Sequence, residues 1–199
     1  IEKRQTFMDE RDYLRFFQSM NLFNALEPIG SIFENSFHQK SPLGSEASKS
    51  RKLVDFVCYC LNPNHYHFIL RQLEERGVEK FMHRLSTGYT KYFNSKYKRS
   101  GVLFQGPFKS VYIETNEQLL HTSVYVNLNH KVHRLGSFAS KSSKVLSSWD
   151  EYTGKSKYNF CDKKIVLDQF RNKTEYENYS KMTLKSIIER KEMLRELEN

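Results

Sequence analysis

Leu53-Val54-Asp55-Phe56-Val57-Cys58-Tyr59-Cys60-Leu61, Asn62-Pro63-Asn64, His65-Tyr66-His67-Phe68-Ile69-Leu70 is the stretch that decides the fold. Two runs rich in β-branched and aromatic residues flank a turn of Asn and Pro, which predicts strands over 52–61 and 65–70 joined by a tight connection. Side chains at i and i+2 of a strand share a face. His65 and His67 therefore point the same way, and both rings can reach one metal ion from a rigid platform.

Upstream, residues 9–26 read as a helix. Leu14, Phe17 and Phe23 supply an apolar stripe, and Asp9, Glu10 and Asp12 sit where the helix dipole favours anions. Residues 27–50 carry Pro28, Gly30, Pro42, Gly44 and many serines, and read mainly as a loop.

Downstream, Val78, Phe81, Met82, Leu85, Tyr89, Tyr92 and Phe93 follow helical spacing, the strongest helix signal in the chain. Lys96, Lys98 and Arg99 close that helix, and Gly101 breaks it. Residues 108–114 alternate as a strand does. Asn116 is placed to cap a further helix running to about Asn129. Leu120, Val124 and Leu128 face its core side, and His121, Tyr125 and Asn129 form a polar row on another face. Residues 136–148 read as a linker, and 163–171 and 173–198 as helices.

A chain of 199 residues with 38% hydrophobic and 28% charged residues fits a soluble globular class. The formal net charge of +9 points to a polyanion, nucleic acid first, although a merely basic protein carries the same charge. Aromatic residues at 14% suit stacking on bases. Three cysteines without a CxxC pair fit a reducing compartment rather than a disulfide framework. No apolar run is long enough to span a bilayer, and no signal-peptide pattern opens the chain.

Four ordered segments carry a resemblance. They are Asn62 to Leu70; Phe81-Met82-His83-Arg84-Leu85-Ser86-Thr87-Gly88-Tyr89-Thr90-Lys91-Tyr92-Phe93-Asn94; Gly101-Val102-Leu103-Phe104-Gln105-Gly106-Pro107-Phe108-Lys109; and Tyr125-Val126-Asn127-Leu128-Asn129. Ser148-Trp149 with Tyr152 adds a fifth point of likeness. Together they resemble the single-tyrosine HUH transposases, most closely the REP-associated tyrosine transposase branch of the insertion-sequence transposase-like family.

The resemblance implies an α+β fold: a ferredoxin-like antiparallel sheet with helices on one face, the HUH endonuclease fold, followed by a helical C-terminal tail. The implied division is a catalytic domain over 1–154 and a helical extension over 155–199. The family's first strand normally precedes the segment resembling residues 3–12, so a strand upstream of Ile1 is expected.

The implied activity is metal-dependent cleavage and transfer of single-stranded DNA, commonly at imperfect hairpins, through a 5′-phosphotyrosine. The alternative is a domesticated, non-cleaving nucleic-acid-binding protein of the same fold. Tyr125 takes the nucleophile position. His65, His67 and Asn129 take the metal positions, for a divalent cation, Mg²⁺ or Mn²⁺. Imidazole suits manganese better than magnesium. A phenol ionises only near about pH 10, so attack requires help with its proton. Taken alone, a His-x-His pair also serves as one face of a structural strand, Tyr125 as a packed aromatic, and Asn129 as a helix C-cap.

Lys80, Arg84, Lys91, Lys98, Arg99 and Lys109 are the candidate phosphate contacts, each equally at home on a solvated surface. The tail has three roles open to it: a DNA-binding appendage, a clasp over the domain, or a homodimer contact. By resemblance the protein works in a bacterial or archaeal cytoplasm, at the nucleoid, without a membrane. Three departures concern substrate contacts. Pro107 stands where the family often has arginine, and Asn127 where it often has histidine. His130-Lys131-Val132-His133-Arg134 replaces a common proline-arginine segment.

Overall fold

The computed structural model describes residues 4–30, 51–133 and 145–197. The expected upstream strand and most of the 27–50 loop lie outside them, as does most of the 136–148 linker. The fold is α+β. In chain order the elements are α1 (Glu10–Leu22), β1 (Val54–Asn62), β2 (His65–Gln72), α2 (Gly77–Lys96), α3 (Asn116–Asn127), α4 (Asn129–Val132), β3 (Leu146–Ser147), α5 (Trp149–Thr153), α6 (Lys164–Leu167) and α7 (Lys173–Leu197). The sheet has the order β2-β1-β3, with Cys60 opposite Ser147 and Leu61 opposite Leu146 in antiparallel register. Among the described residues no helix is long and apolar enough to cross a membrane.

The chain forms two compact units, and β1 and β2 supply residues to each. The first unit comprises the described residues of 6–55 together with 71–110. Its α1 begins with a capping box. Asp9 Oδ1 accepts the Asp12 N–H at 3.0 Å, and the Asp12 carboxylate accepts the Asp9 N–H. The buried stripe of α1 is Tyr13, Phe16 and Met20, not the expected Leu14 and Phe17, and Leu14 is 56% exposed. Phe7 explains the rotation, since it stacks on Tyr13 at 4.6 Å and meets Phe16 edge-on at 5.1 Å. The expected face of α2 is observed, with Phe81, Met82, Leu85, Tyr89 and Phe93 buried. Lys96 does more than complement the helix dipole. Its ammonium reaches Asp9 at 2.8 Å and the fully buried Asp12 at 2.7 Å.

The second unit takes Phe56–Leu70 and the described residues from Val111 onward. Its core joins Val57, Cys58 and Cys60 of β1 to Val124 and Val126 of α3, Tyr152 of α5, Val166 of α6 and Tyr176 of α7. The tail therefore packs into the core of the unit that carries the histidine strand. The cysteines are free and buried, and burial pushes the Cys60 thiol up to about 12. Residues 108–114 form no strand. Val111 and Tyr112 are each 83% exposed, and alternation cannot make a strand without a neighbour to pair with. The third strand comes instead from Leu146–Ser147, at the end of the stretch read as linker.

Candidate functional site

The site lies within the second unit. β2 starts at His65, immediately after the turn, and holds the His65 and His67 rings with centroids 5.1 Å apart. Both rings are half-buried. Opposite them runs α3. Its N-cap is Thr115 rather than Asn116, because the Thr115 hydroxyl accepts the Gln118 N–H at 3.1 Å. Leu119, Ser123, Val124, Val126 and Asn127 are buried around α3, and the half-buried Tyr125 is turned towards β2. The Tyr125 ring stands 5.5 Å from the His67 ring, at 73°.

The chain leaves α3 at Leu128 and restarts as α4 at Asn129. Asn129 is not a C-cap, since Leu128 holds that position. Its side chain is fully buried and aimed at His65, with Oδ1 lying 3.2 Å from His65 Nε2. The Asn62 amide bridges the two, donating to Asn129 Oδ1 at 2.8 Å and lying 3.0 Å from His65 Nε2. His65 Nδ1 lies 2.6 Å from Asn64 Oδ1. That carbonyl oxygen can only accept, so Nδ1 carries a ring proton, and Nε2 accepts from the Asn62 amide, whose Nδ2 also donates to Asn129 Oδ1.

This state suits metal binding: a neutral imidazole with an outer partner fixing its tautomer. His65, His67 and the Asn129 amide oxygen form the candidate donor set, and Asn129 Nδ2 is a buried atom with no hydrogen-bond partner. The set is short of carboxylate. Among the described residues no group of three or more His, Cys, Asp or Glu side chains is placed to hold a metal ion. The donors therefore fit a cation that takes its remaining ligands from elsewhere, such as substrate oxygens.

The helix carrying Tyr125 is pinned by a buried polar network. Asn127 Nδ2 donates to the Tyr176 hydroxyl at 3.1 Å, and Asn127 Oδ1 accepts from Ser148 Oγ at 2.6 Å. Ser148 in turn accepts the Tyr59 N–H at 2.9 Å. One side chain thus ties α3 to β1, α5 and α7, at the position where the resemblance leads one to expect histidine.

Four contributors to the site escaped the sequence reading: Asn62, Asn64, His133 and Lys191. The His133 ring meets the His65 ring edge-on at 5.5 Å, and Lys191 of α7 lies 2.9 Å from His133 Nδ1. The signal for His133 was present, because it extends the His121, Tyr125, Asn129 row by one more step of four. Lys191 had none. Nearby, His130 has its basicity lowered by burial and by Lys131, and its Nδ1 is a buried atom without a partner.

The six candidate phosphate contacts belong to the other unit. Arg84 is committed to backbone, donating to Ala25 O at 2.6 Å and Leu26 O at 3.3 Å. Lys80 donates to Glu75 O at 3.0 Å. Arg99 donates to Asn94 Oδ1 at 2.7 Å and lies over the Phe93 ring. Lys91, Lys98 and Lys109 are exposed. No protein-family model, curated protein or solved structure matches the chain.

Proposed function

We propose that this chain is a metal-dependent single-stranded DNA endonuclease and strand transferase of the single-tyrosine HUH kind, acting on hairpin DNA through a 5′-phosphotyrosine. The fold it implies is the ferredoxin-like HUH arrangement. One observation carries the proposal. Tyr125, His67, His65 and Asn129 come from segments about 60 residues apart, yet form a continuous row with Tyr125 beside one imidazole and Asn129 beside the other. Tyr125 packs partly against the core cluster, and its ring also meets the His67 ring, which leads on to His65 and Asn129.

In this reading the Tyr125 oxygen attacks the phosphorus. The Tyr125 O–P bond forms, the bond to the 3′-oxygen breaks, and that oxygen leaves as a 3′-hydroxyl after taking up a proton. The phenolic proton passes to solvent or to a neighbouring base. Attack by a 3′-hydroxyl on the phosphotyrosine reverses the step and completes strand transfer. Asn64 holds the His65 tautomer, and the Asn62 amide holds both the ring's orientation and the Asn129 oxygen beside it. A divalent cation, Mg²⁺ or Mn²⁺, held by His65, His67 and Asn129 would polarise the scissile phosphate. The +9 charge supports a polyanionic substrate.

A second reading, a non-cleaving nucleic-acid-binding protein, is favoured by the Asn62 amide, which satisfies both acceptors without a cation. Incubation with labelled single-stranded hairpin DNA and Mn²⁺ or Mg²⁺, followed by denaturing electrophoresis, separates the two. The expected result is a slow-migrating protein–DNA adduct, abolished by chelation and by Tyr125→Phe. Binding without any adduct would favour the second reading.

A further inference from the structure

We infer that α7 builds a subsite for one backbone phosphate of a single-stranded nucleic acid, beside the His65 end of the site. This rests on the reading of the chain as a single-strand binder, but not on cleavage. A small pocket of about 40 Å³, open to solvent, is lined by Val132, His133, Ile188, Lys191, Glu192 and Arg195. Its walls come from α7 and from α4 with the residue that follows it. Val132 and Ile188 supply apolar surface, against which a charge acts more strongly than in open water.

The Lys191 ammonium is already positioned. It donates to Val132 O at 3.1 Å and to His133 Nδ1 at 2.9 Å, so little side-chain freedom is lost on binding. An ammonium can only donate, so His133 Nδ1 accepts and the His133 proton lies on Nε2, as a further donor. Lys191 and Arg195 carry two positive charges against the one negative charge of Glu192. Cations outnumber carboxylates in this lining, which suits an anionic phosphodiester. The His133 ring touches the His65 ring, so a phosphate held here would sit next to the nucleotide at the row of Tyr125, His67, His65 and Asn129. The subsite gives the tail a defined part in substrate binding.

The test uses the full chain carrying Tyr125→Phe, so that binding is read without any adduct. Binding of a fluorescein-labelled single-stranded hairpin is followed by anisotropy across a salt series. Arg195→Gln should weaken binding about three- to tenfold at low salt and reduce the slope of log K against log salt by about 0.7, the loss of one single-strand phosphate contact. Lys191→Gln should do the same, and Glu192→Gln should tighten binding. Neutral methylphosphonate linkages placed one at a time should reveal one position that weakens the Tyr125→Phe protein but not its Arg195→Gln derivative. Unchanged slopes, no such position, or tighter binding in Lys191→Gln would each overturn the subsite. An adduct formed by the Tyr125 protein alongside unchanged slopes would sink the subsite alone. Altered slopes without an adduct would sink the cleavage reading alone.

Discussion

Replacing Asn127 by alanine removes the clamp that sets α3 against the sheet. Asn127 is fully buried and makes two hydrogen bonds through its side chain, to Tyr176 and Ser148. Each is worth about 1 kcal/mol net. The vacated amide leaves a small cavity costing about 1 kcal/mol more. The partners are not stranded completely. The Ser148 proton can turn to Tyr59 O, 3.2 Å away, and the Tyr176 hydroxyl keeps Ser123 at 3.2 Å. The expected loss is therefore about 3 kcal/mol, or roughly 6–12 °C in Tm for a chain of this size.

Trp149 reports directly on the change, as the only tryptophan and with its ring 6.1 Å from the Tyr176 ring. Urea denaturation followed by Trp149 fluorescence measures the loss. Tyr176→Phe should cost less, about 1 kcal/mol, because packing survives. The double variant should fall short of additivity, since both changes remove the same bond. A loss below about 1 kcal/mol for Asn127→Ala, or full additivity, would refute the assignment of the network as the clamp.

Lys96→Met should destabilise the protein by about 2–3 kcal/mol in chemical denaturation, because it leaves the buried Asp12 carboxylate without its cation while Tyr92, Tyr97 and two backbone N–H groups still donate to it. Burial works to raise the Asp9 carboxyl, but the hydrogen bond from Lys96 and the backbone N–H groups outweigh it, so its folded value is lowered. Its contribution is present above about pH 4 and lost as the pH falls through the folded value, so the acid limb of the stability profile should be shallower in Lys96→Met. Gly77→Ala should cost about 2–3 kcal/mol, since a Cβ there would lie 2.3 Å from the Leu53 carbonyl oxygen, and backbone cannot yield as a side chain can. All three cysteine thiols are buried and pushed above their ordinary range, so the native protein at neutral pH should resist thiol reagents until denatured.

Local patterns were legible where one physical cause dominated. The β1–turn–β2 hairpin was readable because β-branched and aromatic residues flank a turn of Asn and Pro, and α2 because its core stripe keeps helical spacing from Phe81 to Phe93. The spacing sets Tyr125 and Asn129 on one helix, whereas the structure ends α3 at Asn127 and starts α4 at Asn129, with both residues still beside the histidine strand. What failed depended on partners distant in sequence. Residues 108–114 alternate correctly but have nothing to pair with, whereas Leu146–Ser147 carry almost no strand signal and pair with β1. The stripe of α1 turned towards Phe7, outside the helix itself. Lys191 enters the site because α7 packs along α3, α4 and α5, which no local spacing encodes.

The most direct measurement is peptide mapping by mass spectrometry after reaction with a hairpin oligonucleotide and Mn²⁺. The account predicts a nucleotide joined through its 5′-phosphate to the tryptic peptide running from Ser110 to Lys131, with fragmentation placing it on Tyr125 and not on Tyr112. A covalent nucleotide on Tyr112 or any other residue, or strand cleavage that proceeds with no protein-linked nucleotide at all, would contradict it.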